Sequence, residues 1–328
     1  MTVLITGGGG FVGLATAEAF LEKGWQVVIY DRQPCQESIR SYFQALSGEA
    51  CFVTGDVLDR EKLEETCREH DVSHIIHGAA ITPDTQREIS DARTVVSVNC
   101  GGTATVLDIA SRLGVSMVIH LSTGAVYGRG QWEEKELFED LSELKPETLY
   151  EVTKVASEQI IKRHMALTNL QVLRLRLGDV FGAWEYFSGV RDVPSAPFQA
   201  TRLALTGTRA WLPRPGLKCW VYSRDVGAAV FAFATAPHLR HELYHLSSSY
   251  RWSIADWCER LSRAYPGFGY ELTERGDLVN IDFRPDHSPL NIERMSGDTG
   301  YVPRFDLDRA FADYMDWISR FSTLVSAP

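Results

Sequence analysis

A chain of 328 residues, 45% hydrophobic and 23% charged, carries enough apolar mass for a full globular core, as one elaborated unit or two domains, and is not disordered. Asp and Glu outnumber Lys and Arg by 43 to 33 with no long basic run, which argues against nucleic acid or an anionic membrane surface and leaves a small molecule as the expected partner. The six cysteines (Cys35, Cys51, Cys67, Cys100, Cys219, Cys258) form no CxxC pair, which suits reduced thiols in a cytoplasmic protein and excludes a zinc ribbon.

No basic leader precedes "TVLITGGGG", and the longest apolar run, near "VGAAVFAFATA", is too short to span a bilayer, so a soluble protein is expected. In chain order, "TVLIT" reads as a strand and "FVGLATAEAFLEKG" as a helix stopped by Gly24. The strand "WQVVIYD", a helix near 35–46, the strand "ACFVTGD" and the helix "REKLEETCREH" follow. Next come the strand "SHIIHGAA", a long helix near 91–113, the strand "SMVIHLS" and the helix "LYEVTKVASEQIIKRH". Such alternation predicts an α/β fold, a Rossmann-type doubly wound parallel sheet with ligands at the carboxyl ends of its strands. Residues 1–177 are expected to form the dinucleotide-binding domain. Residues 178–328 are expected to form mainly a smaller substrate-binding domain, with some segments returning to the core of the first.

"TGGGGFVG" sets Gly7, Gly10 and Gly13 three apart, after a strand and at the mouth of a helix, so that the backbone can turn tightly against a pyrophosphate. The second strand ends in Asp31, whose carboxylate accepts from ribose hydroxyls and repels a 2′-phosphate, favouring NAD over NADP. The neighbouring Arg32 is either a partner for a 2′-phosphate or a solvated surface residue. Asp56, closing the third strand, either meets the adenine amino group or caps the next helix.

With "HGAA", "VNCGGT", "STGAVYG" and "YEVTK" in order and at matching spacing, the sequence resembles the extended short-chain dehydrogenase/reductases, the NAD-dependent epimerase/dehydratase family. The likeness continues through "LRLRLGDVFG", "WVYSRDV" and "TGYVPRFDLDRAF". It implies NAD held by Gly7, Gly10, Phe11, Val12, Gly13, Asp31, Arg32, Asp56 and Val57, with Ala79, Ala80, Asn99, Tyr150, Lys154, Leu177 and Val180 completing the set. It also implies a carbohydrate substrate and a homodimer built through the helices near 91–113 and 148–166. Thr82 and Thr123 are candidates to meet the substrate, and Asp179 departs from the Asn that sugar-nucleotide members carry there. Arg191, Lys218 and Arg284 either offer positive charge to a phosphate or carboxylate or are surface residues.

The chemistry can be argued from the residues themselves. Tyr150 and Lys154 are one helical turn apart on one face, and a neighbouring ammonium favours a phenolate able to remove a hydroxyl proton while a hydride leaves. Thr123, ending the fifth strand, either shares the substrate oxygen with Tyr150 or only caps the turn that follows. Where dehydrating members of the family carry an acidic pair, and decarboxylating members a glutamate, this chain has Gly124 and Ala125, neither able to transfer a proton. The expected activity is therefore reversible hydride transfer at a secondary alcohol, as net oxidation or as epimerisation, with a free sugar acid as an alternative to a nucleotide sugar. A non-catalytic NAD-binding regulator is the rival from another class. Asp179 and Glu185 are poor neighbours for a diphosphate and good acceptors for sugar hydroxyls. "HELYH" spells a zinc-hydrolase signature, but "ELYHLSSS" reads as a strand leading into the Ser-capped helix "SIADWCERLSRAY", so no metal is expected.

Overall fold

A computed structural model describes residues 1–283 and 285–326. Strand and helix alternate through β1 (Thr2–Thr6), α1 (Phe11–Glu22), β2 (Gln26–Asp31), α2 (Glu37–Gln44), β3 (Glu49–Thr54), α3 (Arg60–Glu69) and β4 (His74–His77). After these come α4 (Thr85–Val96), α5 (Gly102–Leu113), β5 (Met117–Thr123), α6 (Leu149–Met165) and β6 (Val172–Leu177). The rest of the chain runs through β7 (Asp179–Phe181), α7 (Ala196–Leu205), β8 (Ala210–Leu212), β9 (Leu217–Tyr222), α8 (Ser223–Thr235) and β10 (Leu243–Leu246). It ends with β11 (Arg251–Ser253), α9 (Ile254–Ala264), β12 (Tyr270–Leu272), α10 (Glu293–Thr299) and α11 (Leu307–Ser326).

Seven strands pair in parallel in the order β10-β6-β5-β4-β1-β2-β3, a Rossmann-type sheet. Successive side chains on a strand face opposite ways, so a run with no polar gap must be covered on both faces. Val3 and Ile5 enter one core with α1, α8 and α11, while Leu4 enters another with α3, α5 and α6. Val27 and Ile29 against Val28 and Tyr30 repeat the division. Each fully buried aliphatic side chain contributes about 1.5–3 kcal/mol, which is why these runs rather than turn chemistry dominate the architecture.

The chain beyond residue 178 is interleaved with the first half. β10 adds the edge of the main sheet beside β6. α8 crosses α1 so closely that a Cβ on Gly227 would lie 2.2 Å from Ala15 O. The remaining segments build a three-stranded sheet, β11-β9-β7, and the β12-β8 pair, packed with α7 and α9. Among the described residues no helix is long and apolar enough to cross a membrane, and all six cysteines are free thiols.

The expected single helix near 91–113 is replaced by three pieces. α4 starts earlier, where Asp84 accepts from Arg87 N, bends at Asp91 (φ −143°, ψ 34°) and passes through a π-turn at Ser97–Gly101 into α5. Gly102 sits where a Cβ would be 2.8 Å from Val57 Cγ1, so α5 can start hard against the β3–α3 loop.

Candidate active site

At the carboxyl ends of the central strands a cavity of about 540 Å³ opens along the sheet. Its first end is the glycine turn. Gly7 has φ +67°, a left-handed conformation that suits glycine, and a Cβ there would lie 2.8 Å from Ala79 Cα. At Gly13 a Cβ would sit 2.2 Å from Gly7 O, so only glycine lets α1 close onto the turn. Gly10 caps α1 without a side chain, leaving the first-turn N–H groups to a ligand. Gly7, Gly10, Phe11, Val12 and Gly13 line this end, joined by Asp31, Arg32, Asp56 and Val57 and by Ala79 and Ala80.

Asp31 accepts from Gly9 N and Gln33 N, both at 3.1 Å, and burial pushes its carboxyl above the ordinary value against those bonds. Asp56 does not cap α3: Asp59 does, accepting from Lys62 N at 3.0 Å, while Asp56 turns the chain by accepting from Leu58 N at 2.9 Å. Of the two partners expected for Asn99, cofactor or backbone, its side chain meets backbone. Its Oδ1 accepts from Ile81 N at 2.8 Å, and its Nδ2 donates to Ile81 O and Thr153 Oγ1, both at 3.0 Å. Asn99 is buried and pins the β4 loop to α6, with no side-chain group turned to the cavity.

Thr123, Tyr150 and Lys154 line the same cavity further along. Thr123 Oγ1 accepts from Ala125 N at 3.1 Å at the head of a 3₁₀ turn, so it caps and still keeps its own proton for a ligand. α6 starts on a capping box between Thr148 and Glu151, which fixes the first turn carrying Tyr150. Lys154 is 3% exposed and its Nζ donates to Leu121 O at 2.7 Å. Burial brings its pKa down to about 8, against the opposing pull of Glu158 and Cys100.

Leu177, Val180, Thr82, Asp179, Arg191 and Lys218 also line the cavity, on the side of β6, β7 and β9. Asp179 is clamped between Lys218 Nζ at 3.4 Å and His287 Nε2 at 2.5 Å. Lys218 and His287 hold it well below the usual carboxylate range in spite of burial, and it in turn raises His287. Sequence reasoning missed His287, because nothing near residue 287 signals a partner 108 positions earlier. Glu185, read as a sugar acceptor, is buried behind two residues that line the cavity, accepting from Ser195 N at 2.7 Å and pairing with Arg191 at 3.1 Å. Arg284 lies outside the described residues.

"HELYH" is no helix. His245 lies within β10, its ring bonded to Tyr127 Oη at 2.5 Å and Asn291 O at 2.8 Å, and His241 precedes the strand. Among the described residues no three His, Cys, Asp or Glu side chains gather as a metal site.

Residues 3–245 match the model of the NAD dependent epimerase/dehydratase family. A dTDP-L-rhamnose 4-epimerase of Burkholderia thailandensis is 24% identical, over 97% of this chain and 95% of that protein. A dTDP-glucose 4,6-dehydratase of Streptomyces niveus is 23% identical, over 97% and 92%. In fold the chain is similar to a UDP-glucose 4-epimerase from Stenotrophomonas maltophila solved with NAD and formylated UDP-arabinopyranose. That likeness has a TM-score of 0.81 at 19% identity, over 98% of this chain and 99% of the other.

Proposed function

The chain belongs to the NAD-dependent epimerase/dehydratase family, and from that premise we propose that it transfers a hydride at a secondary hydroxyl of a sugar or sugar-derived substrate, as an epimerase or dehydrogenase. The carrying observation is that Thr123, Tyr150 and Lys154 share one cavity with the glycine turn and Asp31, while the positions after Thr123 are Gly124 and Ala125. In this reading residues 1–177 do the cofactor work and residues 178–328 mainly meet the substrate.

NAD, the family's cofactor, supplies when bound an acceptor for hydride and, once reduced, a donor. The fit rests on the two glycines a Cβ would jam, the open N-terminus of α1 and the carboxylate of Asp31. Tyr150 Oη takes the proton of the substrate hydroxyl. Thr123 Oγ1, already accepting from Ala125 N, donates to the same substrate oxygen and orients it. Lys154 brings a positive charge that favours the Tyr150 phenolate, which becomes a neutral phenol on taking that proton. Epimerisation needs only that the intermediate ketone turn over before reduction, whereas the dehydrogenase releases it.

Elimination or decarboxylation would ask for a further acid and base. A Cβ at Gly124 would be 3.1 Å from Leu290 Cδ1, leaving little room for a longer side chain. Three of the other carboxylates lining the cavity are engaged: Asp84 caps α4, Glu88 accepts from Leu149 N at 2.9 Å, and Asp179 serves Lys218 and His287. That clamped Asp179 favours reading sugar hydroxyls, and it keeps a free sugar acid beside a nucleotide sugar among the candidates. A screen of sugar acids, free sugars and nucleotide sugars with NAD tests the proposal. Net NADH means dehydrogenase, and inversion without NADH means epimerase. Loss of water or carbon dioxide overturns the reading, and NAD binding with no turnover favours the regulator.

Asp31→Ser is expected to weaken NADH binding about tenfold or more, the worth of hydrogen bonds to a charged group, and to narrow the preference over NADPH. Fluorescence titration with both reduced cofactors checks it. The free thiols support a reducing, cytoplasmic setting. Ile89 and Val96 on α4 and Val152 on α6 are 78%, 43% and 46% exposed, apolar positions that support a homodimer through these helices. Gel filtration is expected to give twice the chain mass, and elution at monomer size would remove the dimer.

A further inference from the structure

Beneath the reacting end of the cavity lie two buried histidines with no part in the chemistry above. His77 on β4 and His120 on β5 are register partners, their rings 5.2 Å apart. His77 is bonded at both nitrogens: Nδ1 accepts from Thr6 Oγ1 at 2.8 Å, and Nε2 donates to Thr103 Oγ1 at 3.1 Å. The Thr103 proton goes to Asn99 O at 2.7 Å. His120 differs. Its Nε2 is 3.3 Å from Lys154 Nζ, and its Nδ1 has no hydrogen-bond partner among the described residues. Burial pushes both rings far below the ordinary histidine value, His77 to about 3, so both are neutral. A neutral ring nitrogen facing an ammonium must accept, which puts the His120 proton on Nδ1.

We propose that His120 is a positioning residue for Lys154: its Nε2 accepts one N–H of the ammonium, Leu121 O accepts a second, and the third is left for the cavity that Lys154 lines. The inference rests on the catalytic role proposed for Lys154 and names what stands behind it. An ammonium on a four-carbon stem has three donors that rotate freely. Here both acceptors belong to β5, the strand that ends in Thr123, so the heading of the third N–H is tied to the same rigid element as the Thr123 hydroxyl. A leucine would pack at residue 120 without leaving a buried N–H unpartnered, so the histidine is kept there at an energetic cost.

Lys154 feels Glu158 from its own helix, Cys100 from the π-turn and His77 and His120 from the sheet, while Arg174 on β6 acts on His120. Acceptance at Nε2 favours the charged amine. Losing it lowers the pKa of Lys154, so the alkaline limb of the rate profile moves to lower pH.

Nitrogen-15 histidine spectra of the full chain without cofactor are expected to show the Nδ1–H tautomer for His120, with an Nε2 resonance that moves in Lys154→Met. In kinetics, His120→Leu is expected to lose roughly tenfold in kcat, with the alkaline limb displaced downward. His120→Gln, whose amide oxygen can accept, stays near wild type. An Nε2–H tautomer, a wild-type profile in His120→Leu, or equal losses in both variants would overturn the proposal. If the wild-type protein turns over no sugar substrate with NAD, the reading of the preceding section fails, and the tautomer still decides this one.

Discussion

Tyr150→Phe is expected to lower kcat by about 10²–10⁴-fold, the usual worth of a positioned general acid or base, a far larger change than in NADH affinity. The side chain is half-buried at the first turn of α6, and that turn is held by the Thr148 and Glu151 capping box. The backbone bond from Thr153 Oγ1 to Tyr150 O, at 2.8 Å, also survives the substitution. Steady-state rates with the substrate found in the screen, set beside cofactor titration, separate chemistry from binding. Full turnover in the variant would remove Tyr150 from the mechanism.

Glu158→Ala is expected to cost about 3–5 kcal/mol of folding stability, because it strands a buried guanidinium. Arg176 donates Nε to Glu158 Oε1 at 3.0 Å and Nη2 to Oε2 at 2.7 Å, and the two side chains are 4% and 2% exposed. Arg176 Nη1 carries the network on to Tyr127 Oη at 2.8 Å, and Ser122 Oγ donates to Glu158 Oε1 at 2.6 Å. Because Ser122 lines the cavity, the loss reaches the reacting end as well as the core. Urea denaturation measures the cost. Adding Arg176→Met is expected to recover part of it, since an apolar pair of similar volume no longer buries a lone charge. A single variant as stable as wild type would show that water reaches the arginine.

Much of this architecture could be read before any coordinates, for a physical reason. Parallel strands covered on both faces leave unbroken runs such as Val3, Leu4 and Ile5, and the glycines at the mouth of α1 are forced by contacts no side chain tolerates. Even the zinc-like "HELYH" betrayed itself as a strand. What stayed hidden depends on distant partners or on weak patterning. Thr85–Arg93 is polar, with Ile89 exposed, so it shows no apolar stripe to mark the start of α4. β7, β8, β11 and β12 span three residues each, too few for an alternation to register. The partners of Asn99, Glu185 and His287 stayed hidden because they are Ile81, Ser195 and Asp179, which spacing alone does not disclose.

The last strand of the main sheet is also a statement about how the chain is born. β10 pairs with β6 only after Leu243 has emerged from the ribosome, so for the time needed to synthesise the intervening segment β6 presents a bare row of N–H and C=O groups. A nascent chain stalled or cut near residue 177 would keep that edge open and stick to its neighbours, leaving the two halves of the sequence inseparable in assembly even where their tasks differ.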